Sequence, residues 1–158
     1  MIAIRPTQPE DADSLLRLAG AEPLFSKEEA ETVAELLEAY LEQDDQGGYC
    51  FLSALDEGRL VGFACYGPTP LTQGTFDVYW IAVGKAAKGR GVGRELMARV
   101  EAEVRASGGR MIVLDTSGRP EYAPTRAFYL RLGYTPSATL PDFYSPGDDL
   151  IIFTRSLA

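Results

Sequence analysis

Histidine is absent from all 158 residues of this chain. Without it, Ser-His-Asp and Cys-His catalysis and histidine-ligated metal chemistry are excluded. Any general base must then be a carboxylate, a tyrosine, a lysine or ordered water. Cysteine is scarce too. Cys50 and Cys65 sit in apolar, strand-like runs with no CxxC spacing, and read as small buried hydrophobes rather than a disulfide or zinc pair. No metal is expected. Long apolar runs are missing: nothing reaches the ~18 residues of a membrane span. The start "MIAIRPTQPEDAD" shows no basic region followed by an apolar core, as an export signal would. A cytoplasmic protein without a membrane partner is the expectation. Basic charge is in deficit, with 15 lysines and arginines against 23 acids and a net charge of −8, which disfavours nucleic acid as a partner.

What is present suits one compact domain over residues 1–158: 46% hydrophobic and 24% charged residues, with no linker, repeat or low-complexity tract. "IAIR" alternates as a first strand. Thr7 with Glu10 looks like a capping pair, and Ala12, Leu15, Leu16 and Ala19 recur at helical spacing, predicting a helix over 8–20. Ser26 and Glu29 repeat the capping logic before Val33, Leu36, Leu37, Tyr40 and Leu41, predicting a helix over 27–42 that breaks at "QDDQGG". "YCFLSAL" and "RLVGFACYG" around Asp56-Glu57-Gly58 form a hairpin. "FDVYWIAV" is a central strand. Val92, Leu96, Met97, Val100 and Val104 mark a third helix to about 107. "RMIVLDT" is the next strand, and a fourth helix over 122–132 carries Thr125, Phe128, Tyr129 and Leu132. "YTPSATL" and "LIIFTRSL" close the chain as strands. The fold class is therefore α/β, a mixed β-sheet with about four helices in the order β-α-α-β-β-β-α-β-α-β-β.

The unusual stretch is "GKAAKGRGVGRELM". Four of the fifteen basic residues, Lys85, Lys88, Arg90 and Arg94, fall between Gly84 and Arg94, where there is no acid. A glycine-rich turn between a strand and a helix presents free backbone N–H groups and the positive helix end, an arrangement suited to phosphate. Walker A is excluded because Arg90 and Gly91 stand where its lysine and hydroxyl belong. The dinucleotide fingerprint is excluded because Arg94 follows Gly89-x-Gly91-x-Gly93 and the loop lies mid-chain.

"IAVGKAAKGRGVGRELM" resembles motif A of the GNAT family of N-acetyltransferases, whose Arg/Gln-x-x-Gly-x-Gly/Ala pattern is matched by Lys88-Gly89-Arg90-Gly91-Val92-Gly93, with lysine at the first place. "TRAFYLRLGY" is similar to motif B of the same family, with Tyr129 four residues before Gly133-Tyr134. Tyr122 stands where many members carry asparagine. The resemblance implies a GNAT-like sheet and acetyl-CoA as co-substrate, held where the central parallel strands part. Backbone groups of Ile81, Ala82 and Val83 would lie along the pantetheine arm. Amides from Lys88 through Gly89, Arg90, Gly91, Val92 and Gly93 to Arg94 would bind the diphosphate. It also implies acetyl transfer to a primary amine of a small molecule or protein, with Tyr129 as the acid. A homodimer is a further family expectation. The alternative is a CoA-binding sensor or interaction module without turnover.

For the base the first candidate is Asp77, alternating with Tyr79 and Ile81 on one strand face, and the second is Asp115. Glu22 and Phe25 between the first helices, and Asp142, Phe143 and Tyr144 in "LPDFYSPGDD", are candidates for receiving the acceptor amine through carboxylate and aromatic contacts.

Overall fold

The computed structural model describes residues 1–43 and 48–157. Seven strands, β1 (Ile2–Pro6), β2 (Cys50–Asp56), β3 (Arg59–Pro68), β4 (Thr75–Val83), β5 (Met111–Ser117), β6 (Thr135–Ser145) and β7 (Asp148–Ser156), form one sheet in the order β1-β2-β3-β4-β5-β7-β6. The helices are α1 (Ala12–Ala21), α2 (Lys27–Gln43), α3 (Val92–Ala106) and α4 (Ala123–Arg131). This is the expected mixed sheet with four helices in the expected order. Neighbouring strands pair antiparallel except β4 and β5, which run parallel.

Local chemistry explains where the helices begin. At α2 the capping box is present: the Ser26 hydroxyl accepts the Glu29 N–H at 3.0 Å and the Glu29 carboxylate accepts the Ser26 N–H at 3.3 Å. At α1 the expected cap is displaced. Thr7 is buried at a strand end, its hydroxyl 2.8 Å from that of Ser53. Pro9–Asp11 forms a single 3-10 turn instead, closed by the Asp11 carboxylate accepting the Gln8 N–H at 2.8 Å. Arg5 holds the same carboxylate at 2.6 Å, so α1 starts at Ala12 rather than residue 8. Of the break expected after α2, Asp44 to Gly47 lie outside the described residues.

The sheet carries a core on each face. Val92, Leu96, Met97, Val100 and Val104 of α3 are all buried against one face with Ile112, Leu114, Tyr129 and Phe153; Leu15, Val33, Leu37, Phe51 and Phe63 form the other with α1 and α2. Burying each such side chain contributes about 1.5–3 kcal/mol. Cys65 belongs to the second core, and no disulfide joins the two cysteines among the described residues.

Two irregularities in β4 create the central opening. Cys65 is opposite Trp80 but Tyr66 is opposite Val78, which leaves Tyr79 as an extra, bulged residue. The parallel pairing of β4 with β5 then ends at Val78 and Leu114, although β4 runs on to Val83 and β5 to Ser117. The two strands part, and a cleft of about 980 Å3 lies between and around them.

Candidate active site

At one end of the cleft the chain leaves β4, makes a 3-10 turn at Lys85–Ala87 and enters α3 at Val92. The first α-helical bond on entry is Glu95 N–H to the Gly91 carbonyl at 3.0 Å. Among the described residues, the N–H groups from Gly89 to Arg94 donate to no acceptor, so they and the positive end of the α3 dipole are left free together. The three glycines serve different purposes. Gly89 and Gly91 have φ of 82° and 81°, a conformation that costs an L-residue strain, and a Cβ on either would meet nothing within 4 Å. Gly93 instead makes room for α4, since a Cβ there would lie 3.1 Å from Cζ of Phe128. Open space above free amides, with Lys88 and Arg94 beside them in the lining, fits a diphosphate.

The walls follow from strand geometry. The Gly84 N–H donates to the Val61 carbonyl on β3 at 2.8 Å. Because backbone direction alternates along a strand, Ala82 and Trp80 share that direction and the groups of Ile81 and Val83 turn into the gap. Ile81, Ala82 and Val83 all line the cleft. On the opposite wall stands Tyr129 of α4, 6% exposed and packed against the rings of Phe128, Tyr134 and Phe153 at centroid distances of 5.4, 6.1 and 5.8 Å. Among the described residues its hydroxyl has no hydrogen-bond partner, yet no fully buried side-chain polar atom is left unpaired. The hydroxyl therefore opens on the cleft it lines. Burial raises its pKa, which keeps it protonated.

Tyr129 is held from below. Gly133, with φ of 92°, ends α4 in a Schellman motif: Tyr134 N–H returns to the Tyr129 carbonyl at 3.1 Å and Gly133 N–H to the Leu130 carbonyl at 3.1 Å. The Tyr134 hydroxyl and Arg155 both donate to the Glu101 carboxylate at 3.1 Å, and Arg155 also donates to the Leu132 carbonyl at 2.6 Å. The end of α4 is thereby tied to α3 and β7.

The other end of the cleft is acidic and aromatic, lined by Leu24, Phe25, Glu29, Tyr79, Asp115, Tyr122 and Tyr144, while Glu22 sits beside Lys88 at the cradle, 3.6 Å from its ammonium group. Asp115 opens to the cleft, but surrounding protein and then the Asp77 charge push its pKa above the ordinary carboxylate value. Tyr144 is pushed up to about 12, first by partial desolvation, although the residue is 47% exposed, and then by the Asp115 and Asp148 carboxylates. Burial and the Glu29 charge raise Tyr122 as well. Tyr122 and Glu29 were missed as cleft residues in the sequence. The Tyr122 hydroxyl donates to the Leu24 carbonyl at 3.0 Å, joining the start of α4 to the α1–α2 connection.

Of the residues singled out in the sequence, Tyr129, Asp115, Glu22, Phe25, Tyr144, the strand Ile81–Val83 and Lys88, Gly89, Gly91, Val92, Gly93 and Arg94 line this one cleft. Four do not. Asp77 accepts a hydrogen bond from Thr69 at 2.6 Å outside the lining. The bulge at Tyr79 breaks the expected alternation, so Tyr79 and Trp80 pack with the α1 and α2 core while Ile81 packs with the other. Arg90 turns away to Asp56 at 2.9 Å. Asp142 is a turn former with φ of 56°, its carboxylate accepting the Gly147 N–H at 2.8 Å. Phe143 is 57% exposed and, among the described residues, its ring meets only that of Tyr144, edge-on at 5.1 Å. Among the described residues no cluster of acids and cysteines has metal-site geometry, and no helix is long and apolar enough to cross a membrane.

A sheet parted beside a helix N-terminus, with an amide cradle at one end and carboxylates at the other, can seat a phosphate-bearing ligand against a cationic one. Residues 13–134 match the acetyltransferase (GNAT) family, and the chain belongs to it. It is 31% identical over 135 residues to the 5-NmdU N-acetyltransferase of Pseudomonas phage PaMx11, covering 85% of this chain and 88% of that protein. It is 30% identical over 107 residues to an uncharacterised N-acetyltransferase of Methanocaldococcus jannaschii, covering 67% of this chain but 65% of that protein's length. A crystal structure from Desulfovibrio desulfuricans assigned to the GNAT family superposes over 100% of both chains with a TM-score of 0.97 at 42% identity. The chain is thus an acyltransferase of the acetyl-CoA-dependent kind, and the alternative of a binding module without turnover is not favoured.

Proposed function

We propose that this enzyme acetylates the primary amine of a cationic small molecule or protein terminus. The amine enters at Asp115 and Tyr144 to meet a thioester aimed by the α3 amides. The observation that carries the reading is the convergence on one cleft of Gly89 and residues 91–94 with their free amides, the unpartnered Tyr129 hydroxyl and the acidic end at Asp115 and Glu29. The carboxylates attract an ammonium group, and the aromatic rings of Phe25 and Tyr144 flank it. An alkylammonium near pKa 10.4 loses its proton to an ordinary carboxylate only against about six units, roughly 8 kcal/mol. The raised pKa of Asp115 narrows that gap, so Asp115 takes the base role in preference to Asp77, directly or through water.

As the amine nitrogen bonds to the acetyl carbon, the carbon–sulfur bond breaks and the Tyr129 hydroxyl gives its proton to the departing sulfur. The N–H of Ile81 or Val83, turned into the gap, faces the developing oxyanion. The test is amine-dependent release of free CoA across an amine panel that includes 5-NmdU, for which the phage relative is named. Tyr129→Phe should lower kcat by about 10²–10⁴-fold while leaving CoA affinity within a few-fold. Unchanged turnover with chemistry rate-limiting would remove Tyr129 from the acid role.

A homodimer is the second part of this reading. β6 is an edge strand exposed along its whole length. It carries Leu140 and Phe143 in the open and Asp142 as its one charge, so two copies of this acidic chain can pair there without repulsion. A monomeric mass by light scattering at 100 micromolar, a concentration of about that order being ample for such pairing, would exclude it.

A further inference from the structure

A second groove, of about 780 Å3, lies between α1, the β2–β3 turn and the end of β4. We propose that it is a phosphate-binding subsite in which Arg17, Arg59 and Lys85 hold a phosphomonoester.

Four cations, Arg17, Arg59, Lys85 and Lys88, line this groove against one carboxylate, Glu22, in a chain whose net charge is −8. Lys88 is paired with Glu22 at 3.6 Å. Arg17, Arg59 and Lys85 have no ion-pair or hydrogen-bond partner among the described residues, whereas Arg5, Arg90, Arg99, Arg119 and Arg155 each hold a carboxylate. Unpaired like charges around one concavity repel each other, and a dianion relieves that repulsion while accepting several charge-assisted hydrogen bonds.

The three side chains come from ordered backbone of three elements. Arg17 is on α1, Arg59 follows the Glu57-Gly58 turn, and Lys85 opens the 3-10 turn closed by Ala87 N–H to the Gly84 carbonyl at 2.9 Å. Glu22, Val83 and Lys88 line both this groove and the catalytic cleft. The groove therefore adjoins the diphosphate end and lies away from Asp115 and Tyr144. Two sources share the required chemistry: the 3′-phosphate of CoA, and a free phosphorylated small molecule acting beside the site. The first source rests on the acetyltransferase reading, and the second does not.

The experiment is calorimetric titration of CoA, dephospho-CoA and inorganic phosphate into the wild-type protein and the Arg17→Gln/Arg59→Gln variant, with circular dichroism as the folding check. Both side chains are exposed and unpartnered, so the variant is expected to fold. If CoA is the source, the wild type binds it about tenfold or more tighter than dephospho-CoA, and the variant loses that preference. If the source is free phosphate, both CoA forms bind alike and the variant loses a saturable phosphate binding that the wild type shows. A preference or phosphate binding that survives in the variant, or the absence of both in the wild type, overturns the proposal. Should neither CoA form bind at all, the acetyltransferase reading fails separately, and the phosphate titration still decides this one.

Discussion

Replacing Gly91 with alanine separates the cost of a backbone shape from the cost of a blocked ligand. Gly91 sits at φ of 81°, where a Cβ costs about 1–2 kcal/mol. No atom within 4 Å would clash with that Cβ, so nothing else is added in the free protein. For a chain of this size the melting temperature should fall by roughly 3–6 °C. The added methyl stands in the open space over the free amides of α3. Losing one charge-assisted contact there, at about 1.5–3 kcal/mol, weakens CoA binding by about 10- to 100-fold. Gly108, just past the end of α3, is the control, because it has φ of 82° and an equally empty Cβ position but does not line the cleft. Gly108→Ala should lose the same stability and keep its CoA affinity. Thermal melts and calorimetric titration read the two effects independently. CoA affinity of Gly91→Ala within about twofold of wild type, or an equal loss in Gly108→Ala, would contradict a ligand seated over Gly91.

Other expectations follow from the titratable groups. Partial desolvation by the surrounding protein first, and Asp77 second, raise the folded pKa of Asp115 above its unfolded value, although the carboxylate opens to the cleft. Its contribution to stability is therefore present at acid pH and is lost as pH rises through the raised value. Asp115→Asn should melt higher than wild type at pH 7, match it below the ordinary carboxylate range, and turn over more slowly; a lower melting temperature at pH 7 would contradict this. Asp11 behaves oppositely. Burial pushes its pKa up, but the hydrogen bonds from Arg5, Gln8 and Ser53 outweigh it, and the net pKa is lowered. Its stabilisation is present above the ordinary carboxylate range and is lost as pH falls through the folded value. Asp11→Ala should cost about 2 kcal/mol at pH 7, less than a fully buried pair because Arg5 is 32% exposed, with the deficit shrinking in acid. Denaturant unfolding at pH 7 and pH 3 checks it, and a deficit independent of pH would rule it out.

Features carried by local chemistry were legible in the sequence. The α3 stripe from Val92 to Val104 is all buried, as its spacing requires, and Ser26 with Glu29 caps α2. The interval from Tyr129 to Gly133-Tyr134 is a helix-ending motif whose own hydrogen bond joins Tyr134 to Tyr129, so the spacing carries structure as well as chemistry. What depended on distant partners was not legible. The Tyr79 bulge exists only against β3, and it reverses which face Ile81 takes. Asp56 draws Arg90 out of the cleft from a different strand. Tyr122 and Glu29 meet at the acidic end through the α1–α2 connection, and Asp142 proved to be turn chemistry despite its acidic, aromatic setting. The order of elements was readable throughout because each helix and strand announces itself by period, while the cleft is assembled from six separate parts of the chain.

The most direct test of the account is titration of nitrogen-15-labelled protein with CoA, followed through the backbone amides. Saturable shifts are expected on Gly89 to Arg94 and on the gap-facing Ile81 and Val83, with Asp115 and Tyr144 little affected until an amine is added. Binding of CoA that leaves the amides of 89–94 unmoved, or no binding at millimolar ligand, would contradict it.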